Sequence, residues 1–532
     1  MTRYSLWAEP WIPVVRPSGE LMPVGIGEAL AAAHDLRAVA DPSPLVTVAL
    51  HRLLLAVLYR VFHPHHASDW VTLWRAGRFD AGRLEGYGTA WADRFDLLHP
   101  THPFYQVPFI ADEKIHPISA MVLEAASGNN PTLFDHGQAE GAAALPLDRA
   151  ACHLVAHQLF AVGGGVSKPF NRMDGPLTKG LVIEARGRSL FETLLLNLMP
   201  LEAWSSLVPD RGHDAPFWEL DDVPEPAREG TTPLGPMHYL TWQSRQIHMQ
   251  VEGAGVSGCQ IRQRYCLPKD GERIDPGKAY RRSDEAGWLP FKVDKQRAAW
   301  QYTHVLLQAT GADQASPTLT AWLHQAEAIG RREGLALPPV IGYSVSGLTT
   351  DPKKAAKIEL WRREQLPIPA AFLENPDLVG DLEEMLLHAR RGEGLLQRAA
   401  LALVWALGER KQLPQAVGLV WTGKTEGRIP DGFSTLAASL GLVTRYWPAL
   451  EAPFRQGMAD LPDGDFPAVR EAWQAAVRLA ARQAFTTVRD SLLHAEAPFE
   501  VLTRIDHAFQ GRLAGLFTEK TKEGDADDPG SN

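Results

Sequence analysis

The sequence predicts an α+β protein with a mixed α/β domain over residues 1–372 and a four-helix bundle over residues 373–520. Up to about residue 370, short strand-like runs and helical segments alternate with many turn residues, which is typical of a mixed domain. From about Pro376, long segments with apolar residues at helical spacing replace them. These four segments are residues 377–408, 433–459, 467–494 and 498–518. The remaining residues, 521–532, are polar and acidic and predict a disordered tail.

The first half of the mixed domain is predicted to contain two short strands and a buried helix. A strand is expected between Tyr4 and Val15, and residues 21–30 (LMPVGIGEAL) are typical of a second strand that enters a helix. Residues 46–62 are apolar on nearly every helical turn, which indicates a helix buried on all sides. Residues 181–201 combine a strand with a leucine-rich helix.

The second half is predicted to consist mainly of hairpins. Residues 238–289 alternate polar and β-prone side chains, which indicates hairpins of a small sheet that carries a basic cluster. A strand is expected at residues 338–343, followed by an exposed loop at 344–357 and another strand from residue 358. A solvated sheet face or hairpin tip also accounts for most of the cations in these segments.

Composition excludes several classes of protein. The 532 residues carry a formal net charge of −10, so nucleic-acid contacts must come from local basic patches on an acidic body. Three cysteines, at positions 152, 259 and 266, indicate a reducing compartment without a disulfide framework. The N-terminus lacks a signal pattern and no run of 18 apolar residues occurs, so we expect a cytoplasmic protein that makes no membrane contact.

The most distinctive stretch is polar and rich in glycine and runs from residue 127 to residue 180, and we call it the glycine-rich stretch. Its centre is Gly163, Gly164 and Gly165, where a backbone without Cβ atoms can adopt positive φ and press against a ligand. Lys168, Arg172 and Lys179 follow, and backbone amides with cations at one place suit a phosphate-bearing partner. A surface loop beside a helix cap explains these residues equally well. The stretch matches neither GxxxxGK[ST] nor GxGxxG, which disfavours nucleotide hydrolysis.

No metal, cofactor or catalytic site is predicted. His63, His65 and His66 follow the buried helix, but no carboxylate or cysteine stands at ligand spacing, which favours a solvated helix end. Cys259 and Cys266 lack the second pair of ligands that a zinc site needs. HExxH, GxSxG and a reactive-cysteine context are missing, so we expect that the protein is not an enzyme.

Several motifs, in this order, resemble one known family. They are SLWAEPWIPV at the N-terminus, HPFYQV (102–107), NNPTLFDH (129–136), the glycines at 163–165 with the basic loop that ends at residue 180, DPGKAYRRSDEAGWLPFK (275–292) and the C-terminal four-helix pattern. Together they resemble the large subunit of the type I-E CRISPR surveillance complex Cascade, the CasA family. The resemblance covers essentially the whole chain up to the tail.

The resemblance implies a non-enzymatic subunit that works with the other Cascade subunits and the guide CRISPR RNA. It implies recognition of a protospacer-adjacent motif (PAM) in double-stranded target DNA, opening of the duplex for guide pairing, and later recruitment of a separate helicase–nuclease. Family members read the PAM from the minor groove with a glycine-rich loop and a lysine-bearing loop. The first points here to Gly163–Gly165, and we expect nearby Lys168 to contact DNA as well. A degenerate minor-groove pattern suits such backbone readout.

The other functional sites of the family match this sequence less closely. Asn129, Asn130 and Phe134 stand where the guide-handle loop belongs and suit hydrogen bonding and stacking on an unpaired base. The segment aligned with the lysine-bearing loop has no lysine, and we favour Lys278, with Arg281 and Arg282 beside it.

The family's strand-separating wedge carries a glutamine that residues 344–357 lack. We therefore assign bulk to Gly347, Leu348 and Thr349, and capture of a displaced strand to three lysines, namely Lys353, Lys354 and Lys357. Two readings from other classes stay open. One is a nucleic-acid-processing enzyme with an unrecognised site, and the other is an architectural subunit that never touches DNA.

Overall fold

The chain divides into two compact units in the computed structural model, Met1–Glu374 and Asn375–Asn532. The sequence placed the domain boundary between residues 372 and 373. The predicted guide-handle residues Asn129, Asn130 and Phe134 lie outside the described residues. The structure describes residues 3–125, 144–221, 225–269, 271–292, 294–308, 312–351, 353–424 and 429–518.

Unit 1 combines small antiparallel sheets with helices, as predicted. Its strands, in chain order, are β1 (Ile12–Val15), β2 (Leu21–Val24), β3 (Ala38–Val39), β4 (His116–Pro117), β5 (Leu145–Pro146), β6 (Val182–Arg186), β7 (Arg245–Glu252), β8 (Gly255–Gln263), β9 (Tyr280–Ser283), β10 (Gly287–Pro290), β11 (Gln314–Ala315), β12 (Val340–Asp351) and β13 (Lys354–Pro369). Its helices are α1 (Ile26–Ala31), α2 (Pro44–Phe62), α3 (Ala67–Ala76), α4 (Ala81–Ala90), α5 (Leu147–Phe160), α6 (Leu190–Asn197), α7 (Pro236–Leu240), α8 (Thr303–Leu307), α9 (Thr318–Glu333) and α10 (Ala371–Glu374).

Helix α2 forms the centre of the core of unit 1, and its prediction from the apolar run is confirmed. The Ser43 hydroxyl accepts a hydrogen bond from the backbone N–H of Val46, and Pro44 occupies the first turn, so the helix start is well capped. The helix is long and apolar enough to cross a membrane, but 83% of that apolar window is buried inside the protein, as in a core helix. Its two buried basic side chains are both paired, His51 with Glu184 and Arg52 with Asp275.

Strands β6, β12 and β13 form one antiparallel sheet with β12 in the middle. The predicted exposed loop at 344–357 is wrong for most of its length. Residues 344–351 continue strand β12, where Gly347 pairs with Arg362, and Leu348 is only 2% exposed. Helix α2 packs against β12, and small residues such as Ser346 leave room for that packing. The serines and glycine that suggested a loop therefore belong to a buried central strand.

The predicted hairpins between residues 238 and 289 are present, but they belong to two different sheets. Strands β7 and β8 pair from Arg245 opposite Gln263 to Glu252 opposite Gly255, and β8 also pairs with β4 and β5. Strands β9 and β10 form a separate hairpin whose other neighbour is β11. The first hairpin contacts residues 162–173, which contain the three glycines, and the second carries part of the basic cluster.

Unit 2 is a helical bundle built around one long helix. The four predicted segments are helical, although the second is divided near Gly441, where φ is +71°. A further helix between the first two segments, α12 (Leu413–Thr422), was not predicted and packs against α11 (Pro376–Gly408) and α16 (Phe499–Ala514). The helices of the unit are α11 (Pro376–Gly408), α12 (Leu413–Thr422), α13 (Phe433–Ser439), α14 (Leu442–Asp460), α15 (Phe466–His494) and α16 (Phe499–Ala514).

Candidate nucleic-acid interface

The three consecutive glycines begin a protruding loop that directly follows helix α5. We call residues 163–174 the glycine loop. The backbone N–H of Gly164 donates to the carbonyl of Arg172 (2.9 Å), and the N–H of Arg172 donates to the carbonyl of Gly165 (3.2 Å). Gly164 and Gly165 have φ values of +95° and +89°, a region that residues with a Cβ rarely adopt. The two limbs are therefore closed at their base, and the residues between them form an apex.

The apex is exposed to solvent. Gly165, Lys168 and Asn171 are exposed, and the Val166 side chain is 89% exposed. A Cβ built on Gly165 would meet no described atom within 4 Å. Packing thus does not require glycine at this position, but the backbone conformation does. An exposed apolar side chain, a lysine and bare backbone at one apex are suited to contact with a partner molecule.

The base of the loop is closed more tightly than the apex. The backbone N–H of Gly163 donates to the Asp174 carboxylate (2.7 Å), and a Cβ on Gly163 would lie 2.9 Å from that oxygen. The second Asp174 oxygen lies 2.8 Å from the ammonium group of Lys179. Asp174 therefore joins both limbs and neutralises one of the cations that the sequence grouped with the loop.

A single buried arginine holds both limbs of the glycine loop. Arg245, at the start of β7, donates through Nη2 to the carbonyls of Val162 (2.9 Å) and Met173 (2.8 Å). Its Nη1 donates to the side-chain oxygen of Gln263 (2.8 Å). Burial lowers the pKa of Arg245 to about 9, which leaves the guanidinium charged at neutral pH. Charged donors make stronger hydrogen bonds than neutral ones, so this group stabilises the loop base.

Strand β8 supplies further contacts to the loop. The Gln263 side chain also accepts from the backbone N–H of Met173 (2.8 Å), and its own backbone N–H donates to the Ser167 hydroxyl (3.0 Å). Arg172 donates to the carbonyl of Ile261 (3.1 Å). Because these bonds come from a paired hairpin, the loop is held in shape before any ligand binds.

The structure corrects the assignment of Lys278 as a lysine that reaches into DNA. Lys278 is 3% exposed, and its ammonium group donates to the carbonyls of Pro176 (2.7 Å) and Lys179 (2.5 Å). Burial lowers the pKa of Lys278 to about 8. The motif DPGKAY made this lysine conspicuous in sequence, but its aspartate belongs to a buried network, since Asp275 pairs with Arg52. Lys278 therefore positions the end of the glycine-rich stretch from inside the protein.

The neighbouring arginines are better placed for contact with a ligand. Arg282, on strand β9, is exposed, and Arg281 is partly exposed. Strand β10 of the same hairpin touches the end of the glycine-rich stretch, where a Cβ on Gly180 would lie 2.6 Å from the Cβ of Pro290. The fold thus brings the β9–β10 hairpin beside the segment that follows the glycine loop.

The predicted wedge residues divide into two groups. Leu348 and Gly347 are buried and Thr349 is partly buried, so Leu348 offers no exposed bulk in this conformation. Lys353 and Lys354 are exposed at the tip of the β12–β13 hairpin, and Lys357 is partly exposed. Of the six predicted wedge residues, only the three lysines at the hairpin tip therefore remain candidates for contact with DNA.

This tip projects past the edge of its sheet on a defined side. Val182, the first residue of β6, pairs with Ser346, and β12 continues for five residues beyond that pair to Asp351. At about 3.3 Å per residue, the tip extends roughly 17 Å beyond the pair. It extends from the end of the sheet at which the chain enters β6 from the glycine-rich stretch. The N–H of Lys353 donates to Asp351, and this bond lowers the pKa of the Asp351 carboxyl.

Sequence reasoning missed Arg245 and Gln263, the two residues that organise the loop base. Both stand in a run of alternating polar and β-prone residues, where a solvated sheet face was the simpler interpretation. The alternation did carry a signal, since Arg245 faces the same side of β7 as Ile247 and Met249, which are buried. A charged residue on an apolar strand face indicates a buried polar network.

Comparisons with known proteins agree with this fold. The family model described as CRISPR-associated protein Cse1 matches residues 5–484. The crystal structure of Thermobifida fusca Cse1 has a TM-score of 0.80 at 24% identity, covering 97% of each chain. A crystal structure of CasA from Thermus thermophilus has a TM-score of 0.78 at 29% identity, covering 97% of this chain and 100% of that one. The α+β fold expected from the sequence is confirmed.

The sequence similarity also extends over the whole chain. CRISPR-associated protein CasA/Cse1 of Thermus thermophilus is 33% identical over 98% of this chain and 99% of the relative. A chain of a CRISPR RNA-guided surveillance complex shares the fold, with a TM-score of 0.73 at 19% identity. The resemblance drawn from ordered motifs is confirmed, and the chain belongs to the Cse1 (CasA) family of CRISPR-associated proteins.

Proposed function

We propose that this protein is the large, non-catalytic subunit of a type I-E CRISPR RNA-guided surveillance complex. It recognises the PAM of double-stranded DNA from the minor groove, promotes duplex opening and R-loop formation, and recruits the helicase–nuclease. Its partners are the other Cascade subunits, the guide CRISPR RNA and target DNA. Family membership supports the place in the complex. Three free, buried cysteines are in keeping with the cytoplasm as its compartment.

The observation that carries DNA recognition is the preformed, exposed glycine loop. Next to the closed base, Gly165 presents exposed backbone that no Cβ holds away from a partner. The minor groove is narrow, and its floor offers only a degenerate pattern of acceptors and one exocyclic amine. Backbone that enters without side chains can sense that amine by fit and hydrogen bonding. Exposed Lys168 beside it is placed to contact a phosphate.

The rest of the surface fits a short and selective contact. A net charge of −10 disfavours strong binding along any duplex, so the contact depends on a few cations near the loop. In this proposal the protein reads only the short motif, and guide pairing reads the remaining sequence. Arg281 and Arg282 on β9 support the loop by contacting the backbone of the duplex. Asn129, Asn130 and Phe134 contact the guide RNA.

Duplex opening is assigned to the tip of the β12–β13 hairpin. Lys353 and Lys354 are exposed there, and Lys357 follows on β13. Opening one step beside the PAM costs about 1.4 kcal/mol of stacking in addition to pairing. Cations that hold the freed phosphates offset that cost, whereas the buried Leu348 does not act as an inserted wedge in this conformation.

The decisive experiment introduces a carboxylate at the loop apex of the assembled complex. Gly165→Asp places a negative charge in open space, with a predicted loss of about fivefold or more in affinity for PAM-bearing duplex, since one good base contact is worth about 1–3 kcal/mol. Gly212→Asp is the matched control. Gly212 also has positive φ (+85°) and an open Cβ position, so both variants incur comparable backbone strain.

Binding is measured by gel shift of the reconstituted complex on duplexes with and without the PAM. Assembly is checked by co-purification with the guide RNA. Equal PAM affinity for Gly165→Asp and Gly212→Asp would exclude the loop as the reader. A complex without any PAM preference would favour a purely architectural subunit. Metal-dependent cleavage of DNA by the purified chain would favour an enzyme.

A further inference from the structure

A group of three exposed side chains outside the DNA-binding surface has the composition of a metal site. It consists of His65, His66 and Glu202. The histidines lie in the connection between α2 and α3, and Glu202 lies in a short 3-10 helix, Leu201–Ser206. The three ligand atoms all lie within 4.8 Å of one another. In the part of the chain that the structure describes, no other His, Cys, Asp and Glu side chains form such a group of three or more.

The distances within the group suit a tetrahedral cation. Nδ1 of His65 lies 3.5 Å from Nδ1 of His66, and two imidazoles on one Zn²⁺ place their nitrogens about 3.3 Å apart, because each Zn–N bond is about 2.0–2.1 Å. His66 Nδ1 lies 2.8 Å from the Glu202 carboxylate, a hydrogen-bond distance. A cation bound by both groups would widen the His66–Glu202 separation by about half an ångström, and the His65 side chain would complete the set from within 4.8 Å.

The backbone holds the three residues together without a metal. The carboxylate of Asp69 accepts hydrogen bonds from the backbone N–H groups of His65 (3.0 Å) and His66 (2.9 Å). The two segments are also joined, since Leu201 N–H donates to the carbonyl of Pro64 (2.9 Å) and Glu202 N–H donates to that of His65 (3.2 Å). Only side-chain rotations remain for binding, which lowers its entropic cost.

A fourth ligand is within reach. His63 is exposed, and its imidazole centroid lies 6.4 Å from that of His65. It has φ of +48°, an uncommon conformation for a residue with a side chain, and it ends helix α2. In this conformation His63 is not part of the group, so water would fill the fourth position unless the His63 side chain rotates towards the ion.

We propose that His65, His66 and Glu202 bind one late first-row divalent cation, with Zn²⁺ as the preferred ion. Two imidazoles and a carboxylate match the ligand preferences of that class rather than those of Mg²⁺ or Ca²⁺. The bound cation cross-links the α2–α3 connection to the Leu201–Ser206 helix. Its role is to stabilise the fold of unit 1, independently of DNA binding.

The test uses the full-length chain without an affinity tag, titrated with ZnCl₂ by calorimetry and with CoCl₂ by absorption. We expect one saturable site, a visible Co²⁺ spectrum typical of tetrahedral coordination, and a higher melting temperature with Zn²⁺. Glu202→Gln keeps the side-chain shape and is expected to weaken binding at least about tenfold. His65→Ala/His66→Ala is expected to abolish it.

The control is His99→Ala/His102→Ala, which removes another surface pair whose rings stack 5.8 Å apart. It is expected to leave the Zn²⁺ affinity unchanged. Circular dichroism checks that each variant is folded. If the double histidine variant is unfolded, the Zn²⁺ affinity of Glu202→Gln alone tests the proposal. Absence of saturable binding to the wild-type chain, or an affinity that Glu202→Gln leaves intact, would overturn the proposal.

Discussion

At the scale of single residues, two buried cations hold the glycine loop and the chain that follows it. Arg245 binds carbonyls on both limbs of the loop, and Lys278 binds the carbonyls of Pro176 and Lys179 just after it. These acceptors are neutral backbone groups, so neither cation gains a direct ion pair in return for its burial. Backbone held in this way keeps its shape without bulky side chains at the apex.

Replacing Arg245 is predicted to loosen the loop and destabilise unit 1. Arg245→Met leaves the carbonyls of Val162 and Met173 without their charged donor, at a cost on the order of 3 kcal/mol in the free energy of unfolding. Tryptic cleavage after Arg172 is expected to accelerate. Chemical denaturation and limited proteolysis measure the two effects. Arg282→Met, at an exposed site, should change stability by less than about 0.5 kcal/mol. Equal stability of the two variants would contradict this role of Arg245.

Lys278 is predicted to make stability depend on pH. Its pKa of about 8 in the folded chain lies below the ordinary value of 10.5, so between these values the unfolded chain binds the proton more readily. Its contribution to stability is therefore fully present above pH 10.5 and is lost as the pH falls through 8. We expect the wild type to gain stability relative to Lys278→Met from pH 8 to 10, by at most about 3 kcal/mol. Denaturation midpoints at several pH values measure this, and parallel curves would refute it.

At the scale of elements, the β12–β13 hairpin combines a buried base with a cationic tip. Its base pairs with β6 and packs under helix α2, so the tip is carried by a rigid stem. Rigid elements place functional side chains more accurately than loops do. The same holds for the glycine loop, which depends on the β7–β8 hairpin.

Removing the tip lysines is predicted to slow duplex opening without loss of assembly. With Lys353→Ala/Lys354→Ala, R-loop formation on a fully paired target should slow, whereas a target already mismatched beside the PAM should be spared, because its opening cost is already met. The slope of log affinity against log salt should fall by up to about 0.9 for each lost phosphate contact. Lys411→Ala/Lys424→Ala, which removes two exposed lysines from unit 2, is the control. Equal slowing on both targets would contradict a role of these lysines in duplex opening and would indicate only general electrostatic attraction to DNA.

At the scale of the whole molecule, an acidic body carries a few small basic sites. The net charge of −10 opposes accumulation along DNA, so we expect little affinity of the isolated chain for a duplex. In the proposed function, selectivity then depends on the guide-containing assembly. In this proposal the protein searches for the short PAM, and pairing with the guide RNA reads the long target sequence.

The isolated chain is therefore predicted to bind duplex DNA no more tightly than ordinary nonspecific contacts, with Kd of about 10⁻⁶–10⁻⁴ M at physiological salt. The reconstituted complex should bind PAM-bearing duplex far more tightly, since guide pairing adds to the PAM contact. Fluorescence anisotropy with the same labelled duplexes compares the two. Tight, PAM-selective binding by the chain alone would show that the complex is not needed for selectivity.

The sequence by itself determined the fold class, the buried helix α2, the main helices of unit 2 and the family. These features depend on local periodicity or on ordered motifs, which are visible without knowledge of distant contacts. Residues 46–62, for example, indicate a core helix by their apolar pattern alone. The positive φ values of Gly164 and Gly165 were likewise expected from the run of three adjacent glycines.

Only the tertiary structure decided which distant side chains meet. It buried Lys278, placed Leu348 in a central strand and brought Arg245 to a loop 72 to 83 residues earlier in the chain. His66 meets a carboxylate 136 residues away, so sequence spacing could not indicate that ligand. A local sequence pattern indicates which face of a single helix or strand is buried. A binding site depends instead on how several elements pack against one another, and the spacing of neighbouring residues does not determine that packing.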